Sequence, residues 1–335
     1  MAKRKAKAKN SKGKKKAGKG NLTFFIVTLL VIGLVVFIAK TRKGELPKLV
    51  SSELLATIGS TADKEAQLNS PRGIAVSPEG KIYSADLKNN RVKIFTAEGK
   101  PAGVIGKGGK QKGEFNEPSS VSVDQSGNVF VADSGNGKIQ IFDKTGKYLY
   151  EIGGVKAGFY YPRNVVVNKY GIAYVADTGT SRLLKFDRDG NRIGNPSGGK
   201  GKAPGKFNEI FGIAFDSKGK TYAADPGNKK INIFTPEMQP AGTIVINSWK
   251  ENPPFWPMLV TDSKDRLYVV SSGKGEIVVY DTTGKKVIYL CTLKNDMTGK
   301  PLFSSPLGIA IDKNDVLYVS DMQKNIIVKF KPVID

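Results

Sequence analysis

The sequence predicts an all-β protein, a six-bladed β-propeller, on the evidence of a repeated residue pair, its period and the strand pattern between copies. Six times, an aromatic residue on a short apolar run is followed three residues later by an acid or, once, by serine: Tyr83/Asp86, Phe130/Asp133, Tyr174/Asp177, Tyr222/Asp225, Tyr268/Ser271 and Tyr318/Asp321. Successive pairs lie 47, 44, 48, 46 and 50 residues apart. Each interval holds several short β-type runs separated by Gly, Asn and Asp, which is typical of a four-stranded antiparallel blade. Six such blades closed into a ring form a β-propeller.

Residues 118–153 show the parts of one blade in order. Four runs rich in β-branched and aromatic residues predict half-buried strands: VSV, NVFVA, KIQIF and YLYEIG. The stretches between them, DQSG, DSGNG and DKTG, supply residues that suit tight turns. The copies that begin at Pro71 and Pro162 have the same layout.

These copies carry motifs that resemble the NHL repeat family. PRGIAV, YSADLKNNRVKIF and YVADTGTSRLLKFD are similar to that family's strand and turn pattern, and GKGGKQKGEFNEP and GGKGKAPGKFNEI are similar to its loop between blades. The resemblance covers about residues 54–335 and is most specific in the first four blades. It implies an NHL-type six-bladed propeller.

The last copy indicates how the ring closes. It ends with IIVKFKPVID after its third strand, so a fourth strand is missing. The run LLATIG at residues 54–59 resembles the final strands of blades one and two, and we predict that it completes the last blade. This pairing would remove the open sheet edges of an unclosed ring, giving a propeller of residues 54–335.

Residues 22–39, LTFFIVTLLVIGLVVFIA, are 18 residues without a charge. As a helix they would span about 27 Å, enough to cross a bilayer with interfacial flanks. The alternatives are a buried core helix and a cleavable signal peptide. The run lacks amphipathic periodicity, is longer than a usual signal core, and is followed at once by Lys40. We therefore predict one uncleaved transmembrane helix at 22–39, followed by a linker at 40–53.

Residues 1–21 form a polybasic tail. Ten of the first 20 residues are Lys or Arg, and no acid precedes Glu45. This composition predicts disorder, and the excess of positive charge before the apolar run predicts a cytoplasmic tail and an exported propeller. Attraction to the inner leaflet would follow, whereas nucleic-acid binding, the other use of such a tail, does not fit an anchored protein.

The propeller itself is basic, because about ten of the 23 net positive charges remain on residues 49–335. Loops expected on one face carry many lysines, and arginines follow Pro at two blade entrances near the predicted channel mouth. We predict an anion-binding set of Arg72, Arg163, Lys110, Lys112, Lys202 and Lys206. The alternative is a solvated lysine-rich rim without a ligand.

Blade five departs from the pattern and predicts a partner contact. It has Ser271 in place of the turn Asp, has Glu276 where other blades have a base, and begins with NSWKENPPFWPM. The predicted partner-binding residues in this loop are Trp249, Phe255 and Trp256. The alternative is that the rings fold inward and fill a wider gap between blades.

The chain contains no His, which excludes Ser-His-Asp and Cys-His nucleophile activation. The repeated Asp residues are interpreted as structural, and no cofactor or metal is expected. The sequence thus predicts a membrane-anchored, exported propeller that binds an unidentified protein or anionic polymer. The alternative is a calcium-dependent hydrolase that resembles six-bladed lactonases and uses the propeller channel, with Asn164, Asn208 and Glu209 near blade entries as candidate oxygen ligands, although Asn208 and Glu209 lie in an ordinary connector between blades.

Overall fold

The computed structural model describes residues 50–59, 63–153, 158–246, 249 and 256–334. The predicted tail at 1–21 and membrane helix at 22–39 lie outside the described residues, as does the linker up to residue 49. Within the described part of the chain, no helix is long and apolar enough to cross a membrane.

Six four-stranded sheets confirm the predicted all-β, six-bladed propeller. Strand β1 is Val50–Ile58. Blade one contains β2 to β5 at Pro71–Val76, Ile82–Asp86, Arg91–Phe95 and Pro101–Ile105. A short parallel ladder, β6 (Lys107–Gly108) with β7 (Glu114–Phe115), lies in the loop that follows. Blade two contains β8 to β11 at Pro118–Val123, Val129–Asp133, Lys138–Phe142 and Tyr148–Gly153.

The other blades repeat this order. Blade three contains β12 to β15 at Pro162–Val167, Ala173–Asp177, Arg182–Phe186 and Ser197–Gly198. Blade four contains β16 to β19 at Ile213–Phe215, Thr221–Asp225, Lys230–Phe234 and Pro240–Val245. Blade five contains β20 to β23 at Leu259–Thr261, Arg266–Ser271, Glu276–Asp281 and Ile288–Leu293. Blade six contains β24 to β26 at Pro306–Ile311, Leu317–Asp321 and Ile326–Ile334, together with β1.

Strand β1 is the outer strand of blade six. It pairs antiparallel with β26, with Val50 opposite Ile334 and Ile58 opposite Ile327. It begins at Val50, four residues before the run from which a closing strand was predicted, because β26 is itself nine residues long and offers a longer ladder. The ring therefore joins the start of the described chain to its end.

A buried aspartate ends the second strand of most blades and fastens the preceding loop. Asp86 is fully buried and accepts hydrogen bonds from the Asn69 N–H at 2.6 Å and from Arg91 Nε at 2.8 Å. The backbone N–H seventeen residues upstream is bound in the same way in four other blades: Asn116 to Asp133, Tyr160 to Asp177, Asn208 to Asp225 and Ser304 to Asp321. Because the same hydrogen bond recurs in five blades, we interpret these aspartates as structural residues of the repeat.

The inner strands of the blades line a central channel and converge at its entrance. A Cβ added at Gly308 would lie 2.0 Å from the Arg72 carbonyl oxygen, and one at Gly212 would lie 2.4 Å from that of Pro257. The Arg72 carbonyl also accepts a hydrogen bond from Ser320 Oγ at 2.6 Å. Only glycine permits this approach, so the backbone at the channel entrance is tightly fixed.

Candidate functional site

Three side chains from alternate blades meet at the channel entrance. Arg72 is the second residue of β2, Arg163 is the second residue of β12, and Trp256 lies three residues before β20. The guanidinium carbon of Arg72 lies 3.2 Å from the centroid of the Trp256 ring, and that of Arg163 lies 4.4 Å from it. Blades one, three and five are evenly spaced around the ring, so their entrance residues can reach one another across the axis. The structure thus joins residues that the sequence assigned to separate anion and partner sites.

The indole of Trp256 holds this cluster in place. It stacks on Phe211, with ring centroids 6.1 Å apart and an interplanar angle of 22°. The carbonyl of the next residue, Pro257, accepts a hydrogen bond from the Gly212 N–H at 3.0 Å. A guanidinium over an indole face gains electrostatic attraction from the ring quadrupole, about 0.5–2 kcal/mol. The two arginine side chains are therefore restrained before any ligand arrives.

Positive charge at the entrance is not neutralised by the described residues. The distances to the shared ring place the two guanidinium carbons within about 8 Å of each other, where like charges repel. Neither arginine forms an ion pair with a carboxylate in the part of the chain that the structure describes. Arg72 Nε is buried and has no hydrogen-bond partner among these residues.

The electrostatic environment of both arginines reflects this crowding. Burial, with the charge of Arg163 as the second cause, lowers the pKa of Arg72 to about 9. Burial likewise lowers the pKa of Arg163. Exposed Glu117 opposes both shifts through its charge without forming an ion pair to either side chain. An additional anion at this position would be stabilised by both groups.

Below the arginines, Asn164 and Met258 narrow the channel. Asn164 Nδ2 donates to Ser120 Oγ at 3.0 Å and approaches Met258 Sδ at 3.3 Å, while its Oδ1 has no partner among the described residues. A cavity of about 230 Å³ continues along the inner strands of all six blades and is lined mainly by Val, Ile, Ala and Leu.

The candidate calcium ligands do not form one acidic cluster here. Asn164 lines the channel cavity, whereas Asn208 and Glu209 are exposed in the loop before blade four. The backbone N–H groups of Asn208 and Glu209 both donate to Asp225. Among the described residues, no group of three or more His, Cys, Asp or Glu could hold a metal ion.

The predicted lysines lie apart from the arginine pair. Lys110, Lys112, Lys202 and Lys206 are all exposed. The Lys112 ammonium lies 5.8 Å from the centroid of the Tyr148 ring at the start of β11, and Lys206 Nζ donates to the Gly198 carbonyl in β15 at 2.8 Å. Both contacts are to outer strands, so Lys112 and Lys206 lie at the periphery of the channel-entrance face.

The aromatic residues of the blade-five loop have different positions. Trp249 is 8% exposed and packs in the core with Ile244, Leu259 and Leu267 of blades four and five, as in the inward-folded alternative. Trp256 is partly buried at the channel entrance, and Phe255 lies outside the described residues.

Tyr160 and Tyr161 extend the site and were not predicted. They are 62% and 38% exposed, and their rings meet edge to face with centroids 5.4 Å apart. The Arg163 guanidinium carbon lies 5.3 Å from the Tyr161 ring centroid as well as near Trp256. The sequence FYYP, which places two tyrosines before the entrance proline, was the available signal.

Fold and site together define a β-propeller with a basic, aromatic channel entrance. The chain carries NHL repeats, since the model of the NHL repeat matches residues 68–95 in blade one and 115–142 in blade two. The resemblance seen in the sequence is thereby confirmed. No curated protein sequence matches the chain.

Several solved structures share the propeller fold at low sequence identity. A structural genomics protein of unknown function from Bacteroides thetaiotaomicron has a TM-score of 0.63 and 14% identity, over 88% of this chain and 79% of that one. A catalytically inactive variant of virginiamycin B lyase from Staphylococcus aureus, with quinupristin, has a TM-score of 0.57 and 15% identity, over 84% and 100%. A chain of the nidogen/laminin complex has a TM-score of 0.56 and 15% identity, over 78% and 97%. At this low sequence identity, the similarities show a shared fold and nothing about function.

Proposed function

We propose that this chain is a single-pass membrane protein whose exported propeller binds a protein or an anionic polymer through its channel-entrance face. The observation that carries the proposal is the arginine pair at Trp256, which lacks a carboxylate partner among the described residues. Holding two like charges together costs repulsion, and a bound anion would relieve it.

The residue types at the channel entrance are those that commonly bind partners at protein interfaces. Trp, Tyr and Arg dominate the energetics of protein interfaces, and Trp256, Tyr161 and Arg163 form one contiguous cluster. The exposed lysines at the periphery would attract anionic partners and increase their association rate. The aromatic and arginine cluster at the centre would then determine specificity, and the lysines at the periphery would increase the association rate.

The membrane anchor is supported by the sequence. The apolar run at 22–39 is long enough to span a bilayer, and the ten basic residues before it favour a cytoplasmic N-terminus. A propeller on the other side of the membrane would meet phosphate-bearing envelope polymers, lipid headgroups and exported proteins.

Binding is proposed in preference to catalysis because the chain has no His. The similar lyase from Staphylococcus aureus is described as catalytically inactive when one histidine is replaced by alanine. Chemistry of that kind has no counterpart in this sequence.

A capture experiment tests the proposal. The full chain is immobilised in mild detergent, exposed to solubilised envelope extract, and compared with Arg72→Gln, Arg163→Gln and the matched control Arg192→Gln, which removes an exposed arginine at the turn after β14. Retained protein or polymer should decrease at least about fivefold in the two entrance variants and stay constant in the control, as expected for a loss of a hot-spot contact. Equal retention by all variants, or no specific retention, would refute the proposed binding face.

A further inference from the structure

We propose that Arg72 and Arg163 bind one phosphate group, which accepts hydrogen bonds from both guanidinium groups at the channel entrance. This inference rests on the proposed binding face and assigns the chemical class of the ligand group. The proposed ligand is a phosphate monoester or inorganic phosphate, which as a dianion presents several acceptor oxygens.

Both guanidinium groups contact the Trp256 ring, so one oxyanion beside that ring could contact both of them. A guanidinium that donates two parallel hydrogen bonds lies about 4 Å from the central atom of the anion. Two such groups on either side of one phosphorus would have their carbons about 8 Å apart. The distances of 3.2 Å and 4.4 Å to the shared Trp256 centroid limit the separation of the two carbons to about 8 Å, so both groups can donate to one oxyanion bound beside the ring.

Charge favours phosphate over a carboxylate. A phosphate monoester carries about −1.5 to −2 at pH 7 and presents three acceptor oxygens, whereas a carboxylate carries −1. Two partly buried guanidinium groups without an ion-pair partner in the described chain are neutralised by the first and only half neutralised by the second. The buried Arg72 Nε supplies a donor that is otherwise unused among these residues.

The site is arranged in advance of binding. Arg72 is fixed at its backbone by the Ser320 hydrogen bond and at its head group by Trp256. Arg163 is held between the rings of Trp256 and Tyr161. Little side-chain freedom remains to be lost when an anion binds, which favours affinity. Both arginines are partly exposed, so a phosphate can reach them from solvent.

The test is calorimetric titration of the full chain, in mild detergent at pH 7.5 and constant ionic strength, with inorganic phosphate. We expect one saturable site, with glycerol 3-phosphate competing for it and acetate binding at least about tenfold more weakly. Arg72→Gln and Arg163→Gln should each weaken phosphate binding at least about tenfold. Arg163→Lys, which keeps the charge but cannot donate in a bidentate fork, should weaken it about threefold or more. Arg192→Gln should bind like the wild type.

Three results would overturn the assignment: no saturable phosphate site, acetate binding as tightly as phosphate, or phosphate binding that does not change in the arginine variants. If Arg72→Gln fails to fold, as judged by its melting curve, the Arg163 variants decide. Loss of envelope capture in the arginine variants without phosphate binding would refute the phosphate assignment and leave the proposed binding face intact. Phosphate binding without any capture from envelope extract would refute the proposed binding face and leave the phosphate assignment intact.

Discussion

The repeated buried aspartates act on the scale of single residues. Asp86 accepts from a loop N–H, from Asn89 Nδ2 and from the Arg91 guanidinium, all from groups on one face of the ring. Its carboxylate therefore fixes the loop before the blade to the turn within it. In blade five the same position is Ser271, and the loop before that blade contains both tryptophans of the chain.

Replacement of Asp86 by Ala should lower the free energy of unfolding by about 3–5 kcal/mol, because a largely buried ion pair loses one partner and its donors are left unpaired. Urea unfolding of the purified protein measures this change. The control is Asp143→Ala in the turn after β10, where the carboxylate binds its own turn, and there we expect a much smaller loss. Equal losses in the two variants would contradict the structural role assigned to Asp86.

Arg72 is the residue whose charge state controls the proposed site. Burial and Arg163 lower its pKa from 12.5 to about 9, so the free protein releases this proton as the pH rises through about 9. A phosphate monoester takes up a proton as the pH falls through about 6. Binding of a dianion to a charged guanidinium therefore requires a pH between these two values.

The affinity for glycerol 3-phosphate, a phosphate monoester, should show a maximum near pH 7–8 and fall about tenfold between pH 8 and pH 10, as the fraction of charged Arg72 decreases. It should fall by a similar factor between pH 7 and pH 5, as the dianion is protonated. Calorimetric titrations at constant ionic strength from pH 5 to pH 10 measure both decreases in affinity. An affinity that stays constant from pH 8 to pH 10 would show that Arg72 keeps its charge throughout this range and would contradict the predicted pH dependence.

On the scale of elements, β1 connects the two ends of the ring. Ile58 near its end is 2% exposed and packs in one core with Ile74, Ile82 and Phe95 of blade one. The strand thus completes blade six through its hydrogen bonds and fastens blade six to blade one through this side chain. Leu54, on the same strand, is 45% exposed.

A chain that begins at residue 63 should melt well below one that begins at residue 49 and should aggregate, because the edge of β26 is exposed. Ile58→Ala in the full chain should cost about 2–5 kcal/mol, whereas Leu54→Ala should cost below about 1 kcal/mol. Thermal melts of the four proteins test this order. Identical melting of the two truncated forms would show that β1 does not close the ring.

On the scale of the whole molecule, alternation of blades creates the site. Arg72, Arg163 and Trp256 belong to blades one, three and five, and glycines at 212 and 308 allow neighbouring backbones to approach at the entrance. Met258 contacts Asn164 and narrows the channel beneath the arginines. The entrance face is therefore where a ligand would contact the molecule, and the proposed anchor decides on which side of the membrane that face lies.

Protease added to intact cells should digest the propeller and spare the basic tail, because positive charge is concentrated before residue 22. Antibodies against each part, applied to blots of treated cells, report the result. Moving the tail's lysines to the segment after residue 39 should invert this pattern. Digestion of the propeller only after lysis would place it in the cytoplasm.

The sequence by itself determined the architecture of the described chain. Strand and turn signals are local, and their period of about 47 residues repeats often enough to define the blade, the blade number and the structural role of Asp86 and its counterparts. The arginines could also be placed near the channel, because their position within the repeat is fixed.

Only the tertiary structure decided how the site is composed. Trp249 and Trp256 belong to one loop, yet the first packs between blades four and five and the second lies over two arginines at the axis. Loop sequences have no periodicity that distinguishes these outcomes. The meeting of Arg72, Arg163 and Trp256 depends on ring closure, which brings together residues from alternate blades that are distant in the chain and share no local signal.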